Sequence, residues 1–367
     1  MEGGIVKEDF ATRLVCPTCR GLLRVEPRQR GDGDILEGNL TCAACGGSYS
    51  VTRSIPRLVI GAPGVRETQR SFGSQWRKRG EGRFEDETLW GLTRDEELRL
   101  FFDSLGVGPE DLRNRWVLDA GCGSGRLTRG LASLAGAVVG LDLTPEIDLV
   151  MRQGPPLSNL HLVQGNLLHI PLADDAFDLV WSSGVLHHTG DPVQAFANLA
   201  RVVRPGGRLY VWVYSSRKLS LYKYIRDALR VSHRIPSDVL FVFCYGLAPL
   251  LKLYHAGKHA LSRIRNLPVS PRERQQGRIR TIAFELHDDL SPRFQSRHTS
   301  EEVLGWFQRA GFVDLVVVGE VGVRGIKGKP ATGGGSSAGA PSGLRHDTPV
   351  GIAQERDPML AVEQRTG

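Results

Sequence analysis

The stretch Trp-Val-Leu-Asp-Ala-Gly-Cys-Gly-Ser-Gly-Arg, at residues 116–126, decides the fold. Its first three residues form a short apolar run typical of a buried parallel strand, and Leu127 and Leu131, four apart, begin the apolar face of a helix. Three glycines lie between the strand and the helix: Gly121, Gly123 and Gly125. Glycine allows backbone conformations closed to other residues and lets a ligand approach the main chain. The sequence therefore predicts a strand, a ligand-binding glycine turn and a helix.

The spacing of this turn bears on the kind of ligand. A dinucleotide-binding turn has its third glycine five positions after the first, where this chain has Arg126, so the spacing disfavours NAD. Asp119, two residues before Gly121, would repel a pyrophosphate but suits a ligand that carries an ammonium group, as S-adenosylmethionine does. Taken alone, the turn is also consistent with an ordinary tight turn of an α/β protein.

Further strand signals follow at regular intervals. Residues 137–142, 160–164, 177–181 and 208–214 each read as an apolar strand. The first of them ends at Asp142, about 20 residues after Gly121, where nucleotide-binding α/β units place a carboxylate that binds a ribose. The pattern predicts an α/β fold with a parallel sheet and a nucleoside site at its carboxyl edge.

Four motifs make a family resemblance plain: LDAGCGSG, VVGLD, QGNLLHIPLADDAFDLVWSSGVLHH and LARVVRPGGRLYVWVY. In this order they resemble the motifs of class I S-adenosylmethionine-dependent methyltransferases of the type 11 kind. The likeness covers residues 112–214 and resumes over 299–320. It implies a Rossmann-like seven-stranded sheet and S-adenosylmethionine as cofactor.

The resemblance also implies roles for individual residues. The glycines of the turn would line the methionine part of the cofactor, Asp142 would accept hydrogen bonds from the ribose, and Asn166 with Leu167 would face the adenine. The family often has Asp where Asn166 stands, and an Asn side-chain oxygen can still accept from the adenine amino group. The full cofactor set expected is Asp119, Gly121, Cys122, Gly123, Gly125, Asp142, Leu143, Asn166, Leu167 and Ser182.

Residues 1–61 form the first predicted domain, and its four cysteines are a strong metal signal. Two Cys-x-x-Cys pairs, separated by 22 residues, would hold one structural zinc without an open position: Cys16, Cys19, Cys42 and Cys45. A pair of disulfides or unpaired thiols is the alternative. The segment resembles the zinc ribbons that serve as activator subunits of tRNA and protein methyltransferases, through CPTCRGLL, LTCAACGGSYSV and SIPRLV.

Residues 62–110 are predicted to be a helical linker or lid, with helices around 67–79 and 95–105. Phe72 and Trp76, four apart, share a helix face, which indicates either core packing or a lid that closes over the cofactor.

The catalytic domain is expected over 111–329, with an insertion at 215–298 after the fifth strand that would form a helical substrate cap. The apolar run 239–251 is too short for a membrane span and is interrupted by Gly246 and Pro249, which favours a buried cap helix. An apolar lid or an interfacial segment is the alternative. The arginine run over 263–280 is either a solvated face or an anion clamp. The tail 330–367 is rich in small and polar residues and is expected to be disordered.

Methyl transfer needs few reactive side chains, because the methyl carbon is already activated by the positive sulfur. His187 and His188 follow the fourth strand, and either is a candidate base for a hydroxyl or an acidic carbon. The expected acceptor is a small molecule, a lipid or a glycan; an RNA base and a non-catalytic cofactor-binding role are the alternatives. The net charge of +7 permits an anionic partner without requiring one. We expect a cytoplasmic protein with reduced cysteines, because the first ten residues do not resemble a signal peptide.

Overall fold

The computed structural model describes the following parts of the chain: residues 8–31, 34–61, 64–81, 92–216, 232–264, 279–329 and 353–355.

A short helix and four antiparallel strands form the amino-terminal unit. Their bounds are α1 (Glu8–Ala11), β1 (Leu23–Gly31), β2 (Asp34–Cys42), β3 (Ser48–Thr52) and β4 (Ile55–Leu58). Arg53 and Ser54 join β3 to β4, and both have positive φ, 53° and 58°. Two consecutive residues with positive φ form a turn whose twist matches the right-handed twist of the flanking strands, so they close a tight hairpin.

Seven strands form the central sheet, in the order β7-β6-β5-β8-β9-β11-β10. Their bounds are β5 (Trp116–Ala120), β6 (Ala137–Asp142), β7 (Leu160–Gly165), β8 (Phe177–Ser183), β9 (Val203–Trp212), β10 (Phe312–Val318) and β11 (Gly322–Lys327). Adjacent strands from β7 to β9 are parallel, and β11 is antiparallel to both its neighbours. The predicted Rossmann-like seven-stranded sheet is confirmed. The strand order reverses between β5 and β8, where ligands bind in such sheets.

The amino-terminal unit continues this sheet at its β7 edge. Strand β4 pairs in parallel with β7, Arg57 opposite Gln164 and Leu58 opposite Gly165. Arg57 also forms an ion pair with Asp148. Leu58 is fully buried in the same apolar cluster as the strands of the sheet. The two parts therefore share one core and one sheet. At the opposite edge, β12 (Ala353–Glu355) pairs in parallel with β10.

Successive residues along each central strand pack into different apolar clusters, because side chains alternate between the two faces of a sheet. Leu118 and Val139 lie in one cluster, and Val117 and Val138 lie in the other. The helices that bury these faces or extend beyond them are α2 (Val65–Gly80), α3 (Arg94–Leu105), α4 (Arg126–Ala132), α5 (Asp148–Arg152), α6 (Pro192–Val202), α7 (Ser237–Ile264), α8 (Ile279–Leu290) and α9 (Ser300–Arg309). The two helices predicted in the linker are α2 and α3.

Helices α7 and α8 form the described part of the insertion. Leu240, Cys244 and Leu251 of α7 pack with residues of α8 in one buried cluster. The helix runs unbroken through Gly246 and Pro249, although the sequence predicted an interruption there. Its stretch Ser237–Tyr254 is apolar enough, by length and composition, to cross a membrane, but such a helix alone is weak evidence of a span. Much of it is exposed, so the burial predicted from the sequence holds for one face of the helix only, and its role as a substrate cap stays a prediction.

Candidate active site

The glycine turn between β5 and α4 has the backbone that the sequence predicted. Gly121, Gly123 and Gly125 all have positive φ, at 88°, 53° and 74°. The Gly121 amide donates to the carbonyl of Leu141 over 2.7 Å, which fixes the turn against the end of β6. A side chain at any of the three glycines would be strained by φ and would also collide with a neighbour.

Asp142, at the end of β6, holds this turn in place. One carboxylate oxygen accepts the Gly123 amide over 2.9 Å, and the other accepts the amide and the hydroxyl of Thr144, both over 2.8 Å. Burial raises the pKa of Asp142, and these donors act in the opposite direction. The carboxylate thus lies beside the turn, as a ribose-binding acid would.

Asp119 lies below the turn and is buried. Its carboxylate accepts the Thr128 hydroxyl over 2.6 Å. Burial raises the pKa of Asp119 to about 7, although the hydrogen bond from Thr128 lowers it. A cation at this place would convert the carboxyl to its ionised form.

The remaining cofactor candidates lie along the same edge of the sheet. The Asn166 side-chain oxygen accepts the Leu168 amide over 3.0 Å, which starts a short helical turn after β7. Ser182 of β8 donates to the carbonyl of Ala120 over 3.0 Å. The carbonyl of Leu143 accepts from Gln69 of α2 over 3.0 Å. The structure therefore brings the cofactor candidates to the carboxyl ends of β5 to β8.

Helix α2 crosses this edge and touches both halves of the site. The Trp76 ring lies against Gly123 so closely that a Cβ atom added there would be 2.5 Å from it. The Phe72 ring meets the edge of His188 at a centroid distance of 4.9 Å. The shared face of these two aromatic residues therefore lies against the glycine turn and His188, as a lid would.

The histidine pair follows β8, with both imidazoles packed at a centroid distance of 4.1 Å. His187 is fully buried and stacks on Tyr214 at 3.9 Å. Neither of its ring nitrogens has a hydrogen-bond partner within the part of the chain that the structure describes. Burial lowers the pKa of His187 well below its usual value, and the nearby His188 acts in the same direction. His187 is therefore a neutral imidazole with an unshared electron pair.

His188 is more constrained than its neighbour. Its Nδ1 lies 3.2 Å from the carbonyl oxygen of Phe294. Because a carbonyl oxygen can only accept a hydrogen bond, Nδ1 is the donor. Its ring also packs against Phe72. These contacts hold His188 between the lid helix α2 and the segment after α8.

A hydrogen-bonded group behind the histidines joins the end of β9 to both helical covers, and the sequence did not reveal it. The Tyr214 hydroxyl donates to Asp288 over 2.6 Å. The Gln75 amide nitrogen lies 3.3 Å from Asp288 and 3.2 Å from Nδ1 of His287. Burial lowers the pKa of His287 to about 4, and Lys78 adds to this effect. Because these residues are far apart in the chain, no local spacing could have indicated their contact.

The four predicted zinc ligands of the amino-terminal unit come together. Their sulfur atoms all lie within 4.8 Å of one another: Cys16, Cys19, Cys42 and Cys45. Two of the sulfur–sulfur distances are 3.6 Å, between Cys16 and Cys45, and 3.5 Å, between Cys19 and Cys42. A disulfide requires about 2.05 Å, so these pairs are free thiols that could hold a metal ion.

The arginine run over 263–280, expected to be either a solvated face or an anion clamp, falls largely outside the described residues. The undescribed stretch between α7 and α8 contains four of these arginines: Arg265, Arg272, Arg274 and Arg278. Arg280 is exposed at the start of α8. The tail expected to be disordered also lies outside, apart from the three residues of β12.

Comparisons with known proteins identify the family to which the chain belongs. The family described as "Methyltransferase domain" matches residues 118–211. A protein of Encephalitozoon cuniculi named as a methyltransferase is 32% identical over 174 residues, which covers 45% of this chain and 74% of that protein. A tRNA U34 carboxymethyltransferase of Shewanella putrefaciens is 41% identical over 103 residues, 27% of this chain and 31% of the enzyme. The chain thus spans about a third of that tRNA enzyme.

Among solved structures, the 1,6-didemethyltoxoflavin-N1-methyltransferase of Burkholderia thailandensis is 16% identical, with a TM-score of 0.41 and coverage of 83% of this chain and all of that one. Fold and site together define a Rossmann-like methyltransferase. The chain belongs to the class I S-adenosylmethionine-dependent methyltransferases.

Proposed function

We propose that the protein transfers the methyl group of S-adenosylmethionine to a small-molecule, lipid or glycan-type acceptor, with His187 as the base. The observation that carries this proposal is the fully buried His187, whose two ring nitrogens have no partner among the described residues. A buried polar group without a hydrogen bond is costly, so such a group at the carboxyl edge of the sheet suggests a ligand that completes it. It lies after β8, at the edge that also carries the glycine turn.

The reaction requires one proton to leave the acceptor. His187 takes the proton from a hydroxyl or an acidic carbon, and the acceptor atom bonds to the methyl carbon as the carbon–sulfur bond breaks. The electron pair of that bond stays on the sulfur, which becomes neutral. The lowered pKa of His187 keeps the imidazole unprotonated before the reaction, and the stacked Tyr214 fixes its plane.

The cofactor assignment rests on the same edge of the sheet. Asp142 would bind the ribose hydroxyls, the glycine turn would carry the methionine part, and Asp119 would face the ammonium group. The adenine would lie near Asn166 and Leu167. Trp76 and Phe72 of α2 would exclude water, because they cover the turn and the histidines.

We also propose that the four cysteines bind a structural zinc. In a tetrahedral thiolate site with zinc–sulfur bonds of about 2.3 Å the sulfur atoms are separated by about 3.8 Å. The distances of 3.5 and 3.6 Å between the cysteine pairs fit this set. Four thiolates leave no open position, so the ion would stabilise the hairpins rather than take part in methyl transfer. The resemblance to activator subunits would then mean that a zinc-bearing support is fused to the enzyme. Reduced thiols that hold zinc fit a cytoplasmic protein.

RNA is the competing acceptor. The relative from Shewanella putrefaciens acts on tRNA by its name, and the insertion is rich in basic residues. No aromatic residue alternates with the arginines of 263–280, which disfavours binding of single-stranded RNA by stacking.

The test combines acceptor search and mutation. Purified protein with radiolabelled S-adenosylmethionine is incubated with the lipid, small-metabolite and RNA fractions of a cell extract, and incorporation is counted. We expect label in a fraction other than RNA. His187→Ala should slow transfer by about 10²–10⁴-fold, the usual contribution of a general base, with unchanged cofactor affinity by calorimetry. His188→Ala is the matched control, with a smaller loss. Label confined to RNA, or full activity in His187→Ala, would contradict the proposal.

A further inference from the structure

The outer face of α7 is apolar, and nothing within the described residues covers it. The side chains that form this face, called the α7 stripe from here on, are Val239, Val242, Phe243, Leu250 and Leu253. Val242, Leu250 and Leu253 are 69%, 65% and 72% exposed. The opposite face is packed on α8. An exposed apolar surface of this length on a helix marks an interaction site.

Basic residues surround the stripe in the sequence. The insertion 215–298 contains sixteen lysines and arginines and six acidic residues, a net charge of +10, whereas the whole chain carries +7. The positive charge of the protein is therefore concentrated in this segment. Within residues 239–254 the one charged residue is Lys252, and it is exposed.

We propose that the α7 stripe inserts into the surface of an anionic lipid bilayer, with the helix axis parallel to that surface. An apolar helix face within a segment rich in lysine and arginine is the pattern of interfacial helices, since acyl chains receive the apolar side chains and anionic headgroups attract the basic ones. The helix lies on the membrane and does not span it, because Leu240, Cys244 and Leu251 are already buried against α8.

Two other occupants fit the stripe less well. Gly246 lies in the middle of the stripe, and a Cβ atom added there would meet nothing within 4 Å. A second copy of α7 packed on the stripe would meet no side chain at Gly246, whereas a coiled-coil interface needs a side chain there. RNA requires cations or stacking aromatics along its path, and most side chains of the stripe are aliphatic.

The stripe has a fixed position relative to the lid. Ser237, in the first turn of α7, donates to Ser74 of α2 over 2.6 Å and lies 3.3 Å from Nε2 of His287. Lys78 of α2 pairs with Asp238 over 2.8 Å. Docking of α7 would therefore bring the lid helix to the membrane surface. This inference concerns membrane attachment and does not depend on which acceptor is methylated.

The test is sedimentation of the full chain with sucrose-loaded vesicles of phosphatidylcholine alone or mixed with phosphatidylglycerol. We expect strong binding to the mixed vesicles and weak binding to phosphatidylcholine, with a modest decrease at high salt. Leu250→Glu combined with Leu253→Glu should reduce the partition coefficient by about a hundredfold, since each change removes the burial of one leucine.

Matched controls are Val193→Glu on α6 and Val313→Glu on β10, which replace valines exposed by 48% and 49% elsewhere on the surface. Both should bind vesicles as the unaltered chain does, and so should His187→Ala, whatever its activity. Cofactor affinity by calorimetry should be the same in all variants, which shows that they fold.

Three results would overturn the inference. The first is equal, weak sedimentation with both vesicle types. The second is an α7 double variant that keeps its vesicle binding. The third is that the unaltered chain does not bind vesicles, and the double variant instead loses self-association in analytical ultracentrifugation or loses tRNA binding.

Discussion

Burial acts in opposite directions on the acids and the histidine of the candidate site. It raises the pKa values of Asp119 and Asp142 and lowers that of His187. Both effects favour the neutral forms, because a buried charge loses its hydration. S-adenosylmethionine carries an ammonium and a sulfonium, so its binding would restore the charge of the acids while His187 stays neutral. The single residues therefore suit a cationic cofactor and a proton transfer at the same edge of the sheet.

A pH dependence follows for Asp119, whose pKa is about 7 in the folded protein and about 3.9 when unfolded. By itself a raised carboxyl pKa makes the fold less stable as the pH rises from about 4 to about 7, since the folded state holds the extra proton. Cofactor binding acts the other way, because an ammonium group favours the ionised carboxylate. Affinity for S-adenosylmethionine should therefore rise with pH up to about 7, by at most tenfold per pH unit, and then level off.

Isothermal titration calorimetry at about one pH unit below and above 7 measures this pH dependence of the affinity for S-adenosylmethionine. Repeating it in buffers of different ionisation enthalpy counts the proton that Asp119 releases on binding. In Asp119→Asn the affinity should be lower above pH 7 and independent of pH. Equal pH dependence in the two proteins would remove Asp119 from the ammonium site.

At the scale of elements, α2 is the part that joins the glycine turn to His188 and to α8. It places Trp76 on the glycine turn and Phe72 on His188, and Gln75 of the same helix contacts Asp288 and His287 of α8. One helix therefore touches the glycine turn, His188 and α8. A shift of α2 would open all three, which is the behaviour expected of a lid.

The contact between Trp76 and Gly123 can be measured by mutation. Gly123→Ala adds a Cβ atom that would lie 2.5 Å from the Trp76 ring, at a φ of 53°. We expect cofactor affinity to fall by about tenfold or more, since overpacking typically costs 1–3 kcal/mol. Part of the loss should disappear when Trp76→Ala is combined with it, because the ring that collides is then absent.

Gly206→Ala is the control for this experiment. Gly206 also has a positive φ, of 77°, but an added Cβ atom would meet nothing within 4 Å. It should lower stability by about 1 kcal/mol without changing cofactor affinity. If Gly123→Ala weakens binding equally with and without Trp76, the lid contact is absent from the cofactor-bound protein.

At the scale of the whole molecule, the cysteine-bearing hairpins and the catalytic domain share one sheet. Strand β4 covers the β7 edge, which would otherwise expose unpaired amides and carbonyls. Ion pairs of Arg53 and Arg57 with Asp148 support the same junction. Loss of the hairpins would therefore affect the catalytic sheet directly.

Removal of the proposed zinc tests this coupling. A chelator should lower the unfolding temperature and increase hydrogen exchange in β7 (Leu160–Gly165), because β4 separates once its hairpin loses the metal. Strand β10, at the far side of the sheet, is the internal control and should exchange as before. Adding zinc back should restore protection of β7. An increase confined to the cysteine-bearing hairpins, or protein free of zinc by elemental analysis, would contradict the prediction.

The sequence by itself determined the features that local spacing encodes. The apolar runs predicted the strands of the sheet, the glycines at 121, 123 and 125 predicted the turn, and the two Cys-x-x-Cys pairs predicted the cluster of four sulfurs. Each depends on residues a few positions apart, or on one repeated motif, so the constraint is present in the chain before it folds. Phe72 and Trp76 were correctly placed on one helix face, but their target was left open.

Only the tertiary structure decided what those elements meet. Gln75, Tyr214 and Asp288 belong to three distant segments, and their contact depends on how α2, β9 and α8 pack. The same holds for α7: the run 239–251 is apolar on every side, and hydrophobicity cannot say which face a neighbour will bury. Helix α8 buries one face and leaves the stripe exposed. Likewise the sequence made both His187 and His188 candidate bases, and our choice of His187 rests on packing that supplies rings and no hydrogen-bond partner among the described residues. That environment is a property of the fold rather than of the His-His sequence.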